Sequence, residues 1–307
     1  MIAAQERSLA QVRGTTRRQP GDRFWGYLFL TPQVAGLIAF TLFPIGFSLY
    51  LCFAEWNFVD APRWVGLANV RAILADELFY TSLANTGVLV ARIVPLTMAG
   101  ALALALLTNR ALGGLGLYRT VFFLPMVTSA VAVAMVWCWL FAPYFGLINT
   151  VIEPLGITGP GWLADPRWAK PAVTIMISWQ SVGYYYLIFL AGLKSIPAEY
   201  YEASALDGAS PFQQLRQITL PLLSPTTFFV LTTLIIAASN VFSEVYVLTR
   251  GGPVYATHTI VMDIWSLAFE YFRMGEAAVV SWVLFAILFT VTFAQFRVAK
   301  RWVHHAD

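Results

Sequence analysis

Six apolar stretches, each long enough to cross a lipid bilayer, leave this chain few folds to choose from. They run over roughly 24–53, 82–108, 120–141, 172–193, 225–247 and 277–297. A membrane's hydrocarbon core takes about 20 apolar residues per helix, and it offers no water to unpaired backbone groups. Helices satisfy those groups internally, so the pattern predicts an all-α integral membrane protein with about six transmembrane helices. Composition agrees: of 307 residues, 59% are hydrophobic and only 11% charged. A soluble domain of this length carries about twice that charge.

Residues 1–23 form a polar arm holding Arg13, Arg17, Arg18 and Arg23, and 298–307 form a short tail with Lys300 and Arg301. Between them, 24–297 read as one transmembrane domain without a separate soluble part. The arm resembles the basic start of a signal peptide, but the apolar run behind it is too long for one and reads as a retained first span. About twelve Lys and Arg fall in or beside the arm, 109–119, 194–224 and the tail, against about six in the alternate segments, so the positive-inside rule puts both termini and 194–224 in the cytoplasm. Segments 54–81 and 143–171 then face outward, and Trp56, Trp64, Trp162 and Trp168 in them suit the membrane interface. Cys52 and Cys138 lie in apolar spans with no disulfide or metal spacing, and read as small buried hydrophobes.

The longest polar island between spans is 202–221. Pro197 suits a first helical turn, and Glu199 and Glu202 sit where the helix dipole favours negative charge. Asp207-Gly208 is a stop signal, because glycine takes the left-handed conformation that ends a helix. Ser210-Pro211 restarts one as cap and first residue. Phe212, Leu215 and Ile218 give the second helix an apolar stripe, Pro221 closes it, and Ser224-Pro225 caps the next span. The segment 194–224 therefore reads as helix, tight turn, helix.

Glu202-Ala203-Ser204, Asp207-Gly208-Ala209, Ile218 and Leu220-Pro221 resemble the EAA loop of permease subunits of binding-protein-dependent ABC importers, with Ser204 in place of the usual third alanine. Further likeness to the carbohydrate branch lies in Trp64-Val65-Gly66-Leu67-Ala68-Asn69, Gly146-Leu147-Ile148-Asn149, Trp162-Leu163-Ala164-Asp165-Pro166, Tyr246-Val247-Leu248-Thr249 and Gly251-Gly252-Pro253. It covers nearly the whole chain after residue 24 and implies the short, six-span form of the MalF-like or UgpA-like permease. The resemblance implies a bacterial or archaeal inner membrane and a MalG-like sister permease. It further implies two cytoplasmic ATPase subunits carrying ATP and Mg, an external solute-binding protein, surrounding lipid, and no nucleic acid. It also implies that Glu202, Ala203, Asp207, Gly208, Ala209, Phe212, Leu215, Ile218 and Pro221 seat on the ATPase. In that role Gly208 makes the turn, Asp207 bonds nearby backbone N–H groups, and the small alanines permit close approach.

The chain reads as no enzyme. It has no nucleotide-binding loop of the form G-x-x-x-x-G-K-[ST], no Ser/His/Asp set and no cofactor motif, and two of its three histidines, His304 and His305, lie in the tail. Polar residues inside apolar runs are costly and often mark a solute path. Those present are Asn85, Thr86 and Arg92, then Gln180, Ser181, Tyr184 and Tyr185, then Asn240, Ser243 and Glu244. Each also fits a bond between neighbouring helices. Arg92 fits pairing with Glu244, a phosphate-attracting site, or snorkelling outward. By the resemblance, Trp179, Gln180, Ser181 and Tyr184 align with one half of a sugar site and Ala237, Ala238 and Val241 with the other. Gln180, Tyr184 and Asn240 are then the expected solute contacts, and hydroxyl-bearing solutes, phosphorylated or not, the expected class. The rival reading, a self-sufficient secondary transporter, needs a relay of buried carboxylates, and only Glu244 sits near a span.

Overall fold

The computed structural model describes residues 20–109, 115–156 and 158–301. Residues 1–50 and 51–307 form two compact units. The first holds α1 (Pro20–Leu37), a π turn over Ile38–Leu42, and most of α2 (Phe43–Leu51). Its apolar side chains are almost all exposed, as a lipid-facing helix requires. The helix starts within the expected arm, at Pro20. Residues 1–19, with Arg13, Arg17 and Arg18, lie outside the described residues, as do 302–307 with His304 and His305.

The second unit carries a small antiparallel pair, β1 (Ala54–Glu55) with β2 (Arg63–Trp64), then α3 (Ala68–Leu74) and α4 (Glu77–Thr108). It continues through α5 (Leu115–Val127), α6 (Ala130–Leu140), α7 (Leu147–Ile152) and α8 (Pro166–Lys194). The short helices α9 (Ala198–Leu206), α10 (Pro211–Gln214) and α11 (Leu220–Leu222) follow, with a π turn at Leu215–Thr219. Last come α12 (Ser224–Ser239), α13 (Ser243–Leu248), α14 (Ile260–Trp265), a π turn at Ser266–Glu270 and α15 (Met274–Ala299). Among the described residues, four helices are long and apolar enough to span a membrane, or up to six if each bent pair counts as one.

Two expected spans are broken. The run 120–141 is α5 and α6, bent by 96°. Pro125 has no N–H for the Val121 carbonyl, Thr128 bonds Leu124 O through both its N–H and, at 3.0 Å, its Oγ1, and Ser129 turns extended at ψ 128°. The run 225–247 stops at Ser239, unwinds over Asn240–Phe242, and restarts as α13. The unwound carbonyl of Val241 accepts a bond from Thr259 Oγ1 at 3.1 Å, so a distant loop holds the break open.

Two of the π turns share a cause. Each ends two residues before a proline, Pro44 or Pro221. A proline cannot donate to the carbonyl four residues back. The ladder slips by one residue ahead of it: Phe43 N bonds Ile38 O, and Leu220 N bonds Leu215 O.

α4 and α8 form the centre of the second unit. Leu89, Ile93, Ala101 and Ala105 on α4 and Val173, Met176, Tyr186 and Phe189 on α8 belong to one buried cluster. Lipid is as apolar as leucine, so close packing between helices is what favours their association. Gly183 on α8 lies against the Phe122 carbonyl of α5, where a Cβ would collide with the backbone. Carboxylate caps fix the starts of both long helices: Asp76 Oδ1 accepts from Leu78 N and Asp165 Oδ1 from Arg167 N, each at 2.9 Å.

Candidate coupling segment and solute path

Residues 195–223 form a helix–turn–helix with a polar seam and an outer surface on which Leu206 and Phe212 stand exposed among charged and polar side chains. Pro197 stands one position earlier than expected, as the residue before α9. α9 ends at Asp207. Gly208 then takes φ +79°, its N–H donates to Ala205 O at 3.1 Å, and Ala209 N donates to Ser204 O at 2.9 Å. These bonds satisfy the last carbonyls of the helix. Among the described residues the Asp207 carboxylate makes no hydrogen bond, so backbone groups hold the turn and the expected Asp207 bond is not formed. Ser210 and Gln213 cap α10 reciprocally, with Ser210 N donating to Gln213 Oε1 at 2.7 Å.

Gln214 bridges the seam. Its Nε2 donates to Ser204 Oγ at 3.0 Å and to Tyr201 O at 3.3 Å, and Tyr201 OH lies 3.0 Å from Thr219 Oγ1. Leu215 and Ile218 are half-buried, while Phe212 is 70% exposed and Leu206 91%. The expected stripe is therefore split between an exposed Phe212 and the half-buried Leu215 and Ile218. Glu202, Ala203, Asp207 and Gly208 are exposed, Ala209 and Pro221 half-buried.

The path candidates separate into two groups. Trp179 and Tyr184 stand on exposed parts of α8, Ser181 is half-buried, and Gln180 is buried with no hydrogen bond to its amide among the described residues. Trp179 lines a cavity of about 330 Å³ at the α5–α6 elbow, together with Leu124, Pro125, Thr128 and Trp137. Asn240 is exposed at the end of α12, where its Nδ2 donates to Ile236 O at 2.8 Å. Ala238 and Val241 are core residues, and Glu244 stands in the first turn of α13. Arg92 is exposed and forms no ion pair with Glu244. Asn85 and Thr86 serve a different purpose. Asn85 Nδ2 donates to Tyr255 O at 2.7 Å and His258 O at 2.9 Å, and Thr86 Oγ1 accepts from Ile260 N at 2.9 Å. They fasten the 249–260 loop to α4.

Two further asparagines do the same for the other loops at the ends of the spans. Asn69 Nδ2 faces the carbonyls of Leu51, Cys52 and Ala54 at 3.0–3.4 Å. Asn149 Nδ2 donates to Pro143 O at 3.0 Å and Pro160 O at 3.3 Å, and its Oδ1 accepts from Trp162 Nε1 at 2.7 Å. Gly275 presses on Asn69 and Gly159 on Asn149, where a Cβ would not fit. Of the two readings the sequence allows for Asn85, a solute contact or a bond to a neighbouring element, the structure shows the second; Asn69 and Asn149 stand out in the sequence only as parts of patterns. Gln214, Tyr201 and Thr219 went unnoticed, although the Ser210-x-x-Gln213 capping box beside them was readable.

Residues 97–304 match the family described as binding-protein-dependent transport system inner membrane component. The chain is 37% identical over 289 residues to the probable ABC transporter permease protein YesP of Bacillus subtilis (strain 168), covering 92% of this chain and 93% of YesP. It is 32% identical over 283 residues to the sn-glycerol-3-phosphate transport system permease protein UgpA of Agrobacterium fabrum (strain C58 / ATCC 33970), covering 91% and 96%. It is 34% identical over 295 residues to the lactose transport system permease protein LacF of Rhizobium radiobacter, covering 93% and 98%. A chain of the crystal structure of a bacterial alginate ABC transporter, in complex with a periplasmic protein bound to an alginate pentasaccharide, superimposes with a TM-score of 0.81 at 21% identity. The match covers 94% of this chain and 98% of that one, which establishes the shared fold.

Proposed function

This chain belongs to the binding-protein-dependent inner-membrane transport components, as an ABC importer permease, and from that premise we propose how it works and what it carries. The solute is a carbohydrate or a polyol phosphate, in keeping with the lactose and sn-glycerol-3-phosphate systems of its relatives. ATP and Mg bind to partner ATPase subunits, a sister permease completes the pathway, and an external binding protein delivers the solute. Both termini and the 195–223 segment face the cytoplasm, as the basic residues prefer. Trp179, Gln180, Tyr184 and Asn240 meet the solute; amide and phenol groups bond hydroxyls, and an indole face suits a sugar ring. Arg92, which has no carboxylate partner among the described residues, suits a phosphorylated solute.

The observation that carries the coupling role is the 195–223 segment itself, folded tightly along its seam yet leaving Leu206 and Phe212 bare. When the ATPase subunits close on ATP, a helix seated in them is dragged, and α12 follows it. Gly208 supplies the test. A Cβ there meets nothing within 4 Å, and aspartate, though strained at φ +79°, is among the side chains that adopt a left-handed backbone most readily. Gly208→Asp therefore leaves the chain folded but puts a charged side chain where the ATPase docks. The expected result is normal chain in the membrane, no ATPase retained on purification, and no uptake from a panel containing lactose and sn-glycerol 3-phosphate. Unchanged ATPase retention would refute the coupling role.

A further inference from the structure

We infer that Gln214 is a positioning residue that latches α9 to α10, so that the 195–223 segment moves as one lever and does not hinge at Gly208. The inference rests on the coupling role proposed above. α9 has nine residues, and α10 with its π turn and α11 makes one helix over Pro211–Leu222, both too short to be stable alone. The chain between them turns on Gly208, whose surroundings are open and whose turn is held by two backbone bonds, Gly208 N to Ala205 O and Ala209 N to Ser204 O. A force applied to the exposed side chains of either helix would open that turn unless something ties the helices together.

The ties are few and specific. Gln214 Nε2 reaches both Ser204 Oγ and Tyr201 O on α9, so one amide holds two acceptors a helical turn apart. Ser204 Oγ in turn donates to Tyr201 O at 2.9 Å, which aims its lone pairs at the amide. The second tie is Tyr201 OH with Thr219 Oγ1, and Thr219 is 5% exposed at the end of the π turn. The register slip ahead of Pro221 thus has a use, since π turns often sit at functional places and this one brings Thr219 under Tyr201. Ser204 stands where the EAA pattern carries alanine, and its hydroxyl supplies half of the amide's bonding. Part of the latch therefore rests on a serine that stands in place of the usual third alanine.

The experiment uses the complete importer, with sister permease and ATPase subunits, carrying nitroxide labels at positions 199 and 217, both exposed and neither among the residues that seat on the ATPase. Pulsed EPR reads the distance between the labels with and without Mg-ATP. With Gln214 present, one narrow distribution is expected in both states. Gln214→Met keeps the length and loses the donor; the narrow component is expected to fall roughly tenfold while the ATPase subunits stay bound. Ser204→Ala removes one acceptor and lowers it less. The double variant is no worse than Gln214→Met alone, because both substitutions delete the same bond. A distribution as narrow in Gln214→Met as in the parent overturns the latch, and so does loss of the ATPase subunits, which would make Gln214 a general support of the segment. Failure of the coupling role looks different: a parent complex that keeps no ATPase, or one that keeps it after Gly208→Asp.

Discussion

The three asparagine-anchored loops and the 195–223 segment solve opposite problems with the same few residue types. The loops turn their polar groups inward. Asn69, Asn85 and Asn149 are 5–8% exposed, and their amides donate to backbone carbonyls of the loops. The segment also bonds its amide, Gln214, inward, but presents Leu206 and Phe212 to the outside. A loop that buries its polar anchor is finished as a structure. A polar-seamed hairpin with bare apolar side chains is complete only with a partner. Stability is thus concentrated where the fold must not move, and unsatisfied apolar surface where a second protein takes hold.

The sharpest way to break this contrast is Asn69→Leu. The substitution keeps the volume near Gly275 but strips the donors from three buried carbonyls. Unpaired buried polar groups cost about 1–3 kcal/mol each, so a loss of about 3 kcal/mol is expected in thermal or denaturant unfolding of the purified chain. An unfolding midpoint equal to that of the parent would mean that the loops are no more fixed than the hairpin.

The opposite outcome is expected from Phe212→Ala. A side chain 70% exposed has few contacts to lose, and stability should change by less than about 0.5 kcal/mol. Binding of the ATPase subunits, measured by titration in detergent, should weaken about tenfold or more if Phe212 is a central anchor. Equal binding would remove the exposed apolar face from the coupling mechanism.

The same contrast explains what could be read from the residues alone. Local chemistry was legible: the apolar runs, the stop at Asp207-Gly208 and the restart at Ser210-Pro211 all depend on neighbours within a few positions. Relations across the chain were not. The break at Asn240–Phe242 is held by Thr259, and nothing within 225–247 announces it. Asn85 is a polar residue in an apolar run whether its amide faces a solute or the carbonyl of Tyr255, 170 residues away. Proline at 221 signalled an ending, and the π turn that it causes upstream, with the pairing of Thr219 and Tyr201, needed the folded helix to appear.

The smallest effect separates an anchor from an ornament within the fixed set. Asp165 closes the 143–165 loop and caps α8, and Arg167 bonds it from the side as well as through its backbone, with Nη2 to Oδ2 at 3.1 Å. That side-chain bond, with the backbone bond behind it, holds the Asp165 carboxyl below the usual carboxylate range. A carboxyl depressed in the folded chain contributes stability that is fully present above its unfolded value, about 3.9, and is lost as pH falls through the folded value. Arg167→Gln keeps the backbone cap and deletes the guanidinium, whose side chain is 85% exposed and screened by water. Parent and variant should therefore differ slightly in unfolding midpoint at neutral pH and converge as the pH drops below about 4. A difference that persists in acid would place the stabilisation in Arg167's packing and not in its charge, and would move this contact from the surface of the loop to its foundation beside Asn149.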